Sequence, residues 1–75
     1  MPIQEPAEPK ALYTITLTDR LGRDCVIAPF DGGRPGRLRT MVNGVHKPAL
    51  RTQTKLMAWL REKLPRTSAK RFTEA

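Results

Sequence analysis

The side chains of this sequence best suited to chemistry are cationic, and many sit in one stretch, "PFDGGRPGRLRTMVNGVHKP", from Pro29 to Pro48. It carries Arg34, Arg37, Arg39, His46 and Lys47, four of the chain's five glycines, and Asp31 as its sole acid. A guanidinium offers paired N–H donors that match the oxygens of a phosphate or carboxylate, and glycines let backbone amides approach an anion closely. The pattern suits anion binding. Catalysis lacks its parts, since His46 is the sole histidine and Cys25 the sole cysteine, and Cys25 lies in an apolar run where a thiol stays protonated and inert. One Cys and one His do not make a closed zinc site, and neither a P-loop nor a nucleophile elbow occurs. The sequence therefore predicts no enzyme, no metal, no cofactor and no small-molecule substrate.

Charge reinforces this. The 75 residues hold 14 Lys and Arg against 7 Asp and Glu, a formal net charge of +7. The excess grows along the chain: residues 1–18 are slightly acidic, residues 19–48 hold six basic against three acidic side chains, and residues 49–75 seven against two. A field of that sign concentrates phosphate polyanions or acidic protein patches around the molecule. A single cysteine forms no intramolecular disulfide, and no apolar run is long enough to span a membrane. The N-terminal "MPIQEPAEPK" has acids and prolines where a signal peptide needs a basic start and an apolar stretch, so a soluble cytoplasmic protein is expected.

The elements that must carry these residues follow from periodicity. Pro2, Pro6 and Pro9 make residues 1–10 an extended, disordered Pro/Glu tail. In "LYTITLT", Tyr13, Ile15 and Leu17 alternate with Thr14, Thr16 and Thr18, the period of a strand with one buried face. "DRLG" supplies turn residues, and "RDCVIAPF" reads as the second arm of a hairpin, with Pro29 at its end or on an edge. Asn43-Gly44 between "LRTMV" and "VHKPAL" is a strong two-residue hairpin signal, which sets Val42 against Val45 and Met41 against His46. From Thr52 the period becomes helical: Leu50, Gln53, Leu56, Met57, Leu60 and Leu64 fall within an arc of about 120°, with Arg51, Lys55, Ala58 and Glu62 opposite. Thr52 suits the N-cap, Pro48 as a first-turn residue is the alternative start, and Pro65 ends the helix. The fold class predicted is α+β: a small antiparallel meander of three to four strands packed on one C-terminal helix, as a single domain over residues 11–65. A flexible basic tail, residues 66–75, completes the chain.

Three groups of residues are candidates for binding. The loop core "GGRPGR" resembles the AT-hook, a minor-groove motif centred on an extended Arg-Gly-Arg-Pro, with Gly32 where the leading Arg belongs and Gly36 intervening before Arg37. The resemblance implies minor-groove contact; the plainer reading is a flexible connection whose arginines attract phosphate. The second group is the uncovered sheet face, with Arg37, Arg39, Met41 and His46, which can lie in a DNA major groove or simply meet solvent. Trp59, on the boundary of the helix stripe, either stacks on a partner or seals the core. Backbone contacts would come from Arg34, Arg37, Arg39 and Lys47, joined by Arg51 and Lys55 from the helix and Lys70 and Arg71 from the tail. Together these features point to a small basic nucleic-acid-binding regulator, with duplex DNA the favoured partner. The competing reading is a protein-binding inhibitor or adaptor that docks on an acidic surface such as the transcription apparatus, as a phage or plasmid accessory protein would.

Overall fold

The structure, a computed structural model, describes residues 10–74. The proline-rich stretch 1–9 lies outside the described residues. The expected hairpins form. Strand β1 (Tyr13–Asp19) pairs antiparallel with β2 (Asp24–Asp31), Ile15 opposite Ile27 and Leu17 opposite Cys25. Asp19 shapes the turn between them: its carboxylate accepts the N–H of Leu21 and of Arg23, both at 2.9 Å, and the Arg23 Nε–H at 2.8 Å. β3 (Leu38–Val42) pairs with β2 and, through Asn43 and Gly44 at positive φ, with the two-residue β4 (Val45–His46) in the predicted register. Asn43 adds a further rung to the β2–β3 ladder, its N–H donating to the Val26 carbonyl at 2.9 Å and its Oδ1 accepting the Val26 N–H at 2.8 Å.

After β4 the chain turns back along β3. Lys47 N–H donates to the Thr40 carbonyl at 2.9 Å, and Leu38 N–H donates to the Arg51 carbonyl at 2.8 Å. Thr40, fully buried, locks this segment by donating its hydroxyl to the Leu50 carbonyl at 2.6 Å. Helix α1 (Gln53–Lys63) follows, with Thr52 as N-cap accepting the Lys55 N–H at 3.2 Å, as predicted. A single 3₁₀ turn, Leu64–Arg66, carries Pro65 and reverses the chain.

The C-terminal stretch departs from expectation. Thr67–Glu74, read from sequence as a fraying tail, forms an eight-residue strand β5 paired with β1 from Tyr13↔Glu74 to Asp19↔Thr67. Ser68 marks an irregularity in that ladder, and its hydroxyl reaches the carbonyls of Thr18 and Asp19 at 2.9 and 2.8 Å. The domain therefore extends past Pro65, and the sheet has five strands in the order β4-β3-β2-β1-β5 rather than three to four. The class is α+β, and the helix covers one face.

That face holds the core: Ile15, Leu17, Ile27 and Val42 from the sheet, Leu50 from the return segment, and Leu56 and Leu60 from the helix, with Tyr13, Cys25, Leu38 and Trp59 packed at its margins. The apolar arc predicted for the helix is wider than the part that packs, because Met57 and Leu64 remain exposed. Replacing Thr40 by Val keeps the shape but leaves the Leu50 carbonyl without its donor. Urea unfolding of Thr40→Val should show a loss of about 1–3 kcal/mol with an unchanged slope; unchanged stability would show that the hydroxyl is not the lock.

Candidate functional site

The return segment brings together residues that the sequence keeps apart. Because Leu38 N–H bonds the Arg51 carbonyl, Arg51 lies beside the Arg37–Arg39 stretch, and Arg37 N–H donating to the Arg34 carbonyl at 3.0 Å ties the fourth arginine to the same corner. Sequence periodicity assigns Arg51 to the helix flank; it precedes the helix and belongs to this corner instead. All four arginines are exposed, and Arg39 lies on the bare side of the sheet. The start of the helix is adjacent. Tyr13 donates its hydroxyl to Gln53 Oε1 at 2.9 Å, and a shallow groove is lined by Leu12, Asp31, Arg34, Arg37, Leu38 and Gln53 among others. No acid occupies the first helical turn, whereas Lys55 does, so the partial positive charge of the helix N-terminus adds to that of the arginines.

The one carboxylate nearby is engaged. Asp31 accepts the Gly33 N–H at 2.9 Å, and the Gly32 N–H donates to the Arg37 carbonyl at 3.0 Å. The glycine loop is thus closed on itself, with its amides turned inward, and the expectation that they cradle an external anion is corrected at Gly32 and Gly33. A Cβ at position 32 would meet the Arg37 carbonyl group at 2.8 Å, so that position needs glycine for close approach. "GGRPGR" is a tight turn, with Gly36 at φ 73°, and does not take the extended form of an AT-hook. What remains available in the loop is the guanidinium groups. Among the described residues the sole ion pair joins Arg23 to Asp19, at the opposite end of the sheet.

The bare face is less basic than the sequence suggests. His46 lies opposite Met41, Met41 opposite Ala28, Arg39 opposite Phe30, Val26 opposite Thr16, and Thr16 opposite Arg71. Its centre is therefore a strip of threonines, Val26, Ala28 and Phe30 that ends in Asp24, whose carboxylate accepts the Thr18 hydroxyl at 2.7 Å, with cations at both margins. Periodicity points to Thr14, Thr16 and Thr18 as the outward row of β1, yet their role as the middle of this surface depends on β5, which no pattern announces. Three strand spacings, about 14 Å, separate β3 from β5, and Arg39 and Arg71, whose partners Phe30 and Val26 lie four residues apart along β2, stand about 20 Å apart across the face. The whole sheet is about 19 Å wide at four spacings, broader than a major groove of about 12 Å. It cannot enter a groove flat, as a two-stranded ribbon does.

The remaining candidates separate. Lys70 and Arg71 are on an ordered strand and point to opposite faces, Lys70 toward the helix side and Arg71 toward the bare side. Lys47 lies on the return segment beside β3. Trp59 is half-buried against the core, with Lys63 Nζ 5.4 Å from its ring centroid, a cation–π contact that seals the helix flank. Cys25, half-buried below it, has its thiol pKa raised by burial, with Lys63 opposing. Among the described residues there is no group of three or more His, Cys, Asp or Glu able to hold a metal, and no helix long and apolar enough to cross a membrane. No protein-family model, curated protein or solved structure matches the chain.

Asp19 titrates below its ordinary 3.8 because the Arg23 backbone N–H favours the carboxylate and, with its guanidinium and the Leu21 N–H, outweighs desolvation, the largest opposing effect. A depressed carboxyl contributes stability above its unfolded value that is lost as pH falls through the folded one. Urea midpoints measured from about pH 2 to about pH 6 should fall less steeply on the acid side for Asp19→Asn than for the parent; parallel curves would show that the turn carboxylate has no such effect.

Proposed function

We propose that the protein binds duplex nucleic acid, DNA foremost, by sequence-tolerant contacts to the phosphate backbone, acting in the cytoplasm. The observation that supports this is one end of the sheet where Arg34 and Arg37 share a groove with Gln53 of the helix N-terminus, Arg51 is bonded beside Leu38 and Arg39 faces the bare side, all four exposed, with the nearby carboxylate bonded to a loop amide. Bidentate guanidinium donors with no internal acid are matched by phosphate oxygens. Arg71 and His46, at the margins of the bare face, would meet phosphates on either side of a strip whose one charge is Asp24, and its width favours bridging the duplex surface over reading bases within a groove. A second reading, an adaptor docking on an acidic protein surface such as the transcription apparatus, is favoured by Val26, Ala28, Phe30 and Met41 in that strip, since a phosphate backbone has no use for them.

The test is a fluorescence-anisotropy titration with duplexes of unrelated sequence over a range of salt. Affinities should be similar between sequences, and log affinity should fall against log salt with a slope of about 0.9 per phosphate contacted. The triple variant Arg37→Ala, Arg39→Ala, Arg51→Ala should flatten that slope by about 2–3 while leaving thermal unfolding close to the parent's. Arg20→Ala, in the β1–β2 turn at the other end of the sheet, should leave it nearly unchanged. Absence of duplex binding at low salt would overturn the reading and leave the protein-docking one.

A further inference from the structure

Strand β5 is the outer edge of the sheet, and its outward side has no partner strand among the described residues. The ladder fixes which backbone groups point out. The Asp19 N–H donates to the Arg23 carbonyl at 3.0 Å, and that pair continues in register through Leu17↔Cys25 and Ile15↔Ile27, so odd-numbered residues of β1 turn their backbone groups toward β2. The bonds of Asn43 to both backbone groups of Val26, on the far side of β2, keep the same alternation. Thr14, Thr16 and Thr18 therefore bond Thr73, Arg71 and Ala69, and the N–H and C=O groups of Lys70, Phe72 and Glu74 face away from the molecule.

An exposed edge of eight residues is a template for another strand, and lysine on such an edge normally discourages pairing. Here the charges discriminate between registers. Antiparallel pairing of two copies must match outward-facing residues with each other. A register centred on Lys70 sets ammonium against ammonium, and one centred on Arg71 sets guanidinium against guanidinium. The register centred on Phe72 places Lys70 opposite Glu74 twice and Arg71 opposite Thr73, with no like charges opposed. We propose that the protein self-associates through β5 in this register, forming a two-fold dimer with one continuous ten-stranded sheet.

The side chains fit the seam. Phe72, 52% exposed, lies on the helix side of β5 with Tyr13 at a ring-centroid distance of 5.4 Å, so a second Phe72 at the dyad completes an aromatic cluster of four rings. A dyad perpendicular to the sheet keeps both helices on one side and both bare faces on the other, and it brings the two Arg71 side chains near the axis. This pairing does not depend on what the bare face binds. One strand's width of contact gives a weak, concentration-dependent dimer rather than an obligate one.

Sedimentation equilibrium on nucleic-acid-free protein, from about 10 μM to about 1 mM, should show reversible dimerisation. Lys70→Glu and Glu74→Lys each turn two attractions into repulsions and should each raise the dissociation constant about tenfold. Mixed in equal amounts, the two variants should associate as a heterodimer at least as well as the parent, because the paired carboxylates of one copy then face the paired ammonium groups of the other; this also shows that each is folded. A parent that stays monomeric throughout, a single variant that associates like the parent, or a mixture that stays monomeric would each overturn the proposal.

Discussion

The helix supplies only two of the side chains in the buried cluster, Leu56 and Leu60, which meet Ile15, Leu17, Ile27 and Val42 of the sheet and Leu50 of the return segment. That contact is the constraint on which the rest depends. One short helix can cover one face of a five-stranded sheet and no more, so the second face is left to threonines, small apolar residues and marginal cations. Among the described residues no further layer covers it. The same packing draws Leu50 under the sheet, and the buried Thr40 hydroxyl on the Leu50 carbonyl holds it there. Arg51, the next residue, is thereby delivered to the arginine corner. The site is a by-product of how the core is closed.

Much of this was legible because local signals were strong where one face is buried. The alternation of Tyr13, Ile15 and Leu17, the Asn43-Gly44 turn and the Thr52 cap each have one dominant physical cause, and each produced the expected element. β5 was not legible for a matching reason. Neither face of "TSAKRFTE" is buried, so nothing selects for an apolar period; Phe72 is its one large apolar residue. Its strand character comes from pairing with β1, a partner some fifty residues earlier, and from the 3₁₀ turn at Pro65 that reverses the chain. In the sequence Pro65 reads as a stop; in the fold it is also a redirection.

The candidate site shows the same division. Arg34, Arg37 and Arg39 were visible as a cluster because they are close in sequence, and the pairing of Met41 with His46 followed from the turn type. The convergence of Arg51 on them depends on residues 47–51 running back along β3, for which the sequence carries no periodic signal. Glycine content misled in one respect. It suggested amides open to an anion, but a loop that must join two neighbouring strands satisfies its own donors first, and Asp31 was available to take one of them.

The two ends of the sheet treat their charges differently, and the difference bears on why so basic a corner is tolerated. At the β1–β2 turn, Arg23 is held by the carboxylate of Asp19. At the other end, Asp31 gives its lone pairs to the Gly33 N–H, and the surrounding guanidinium groups are left to water. Repulsion between two hydrated charges at 4 Å is only about 1 kcal/mol in bulk water, and salt screens it beyond about 10 Å. The folded domain can therefore carry several unpaired arginines because they are exposed and never desolvated by the core. The same exposure means that a polyanion reaching this corner meets cations already backed by ordered backbone, with no internal partner to displace first.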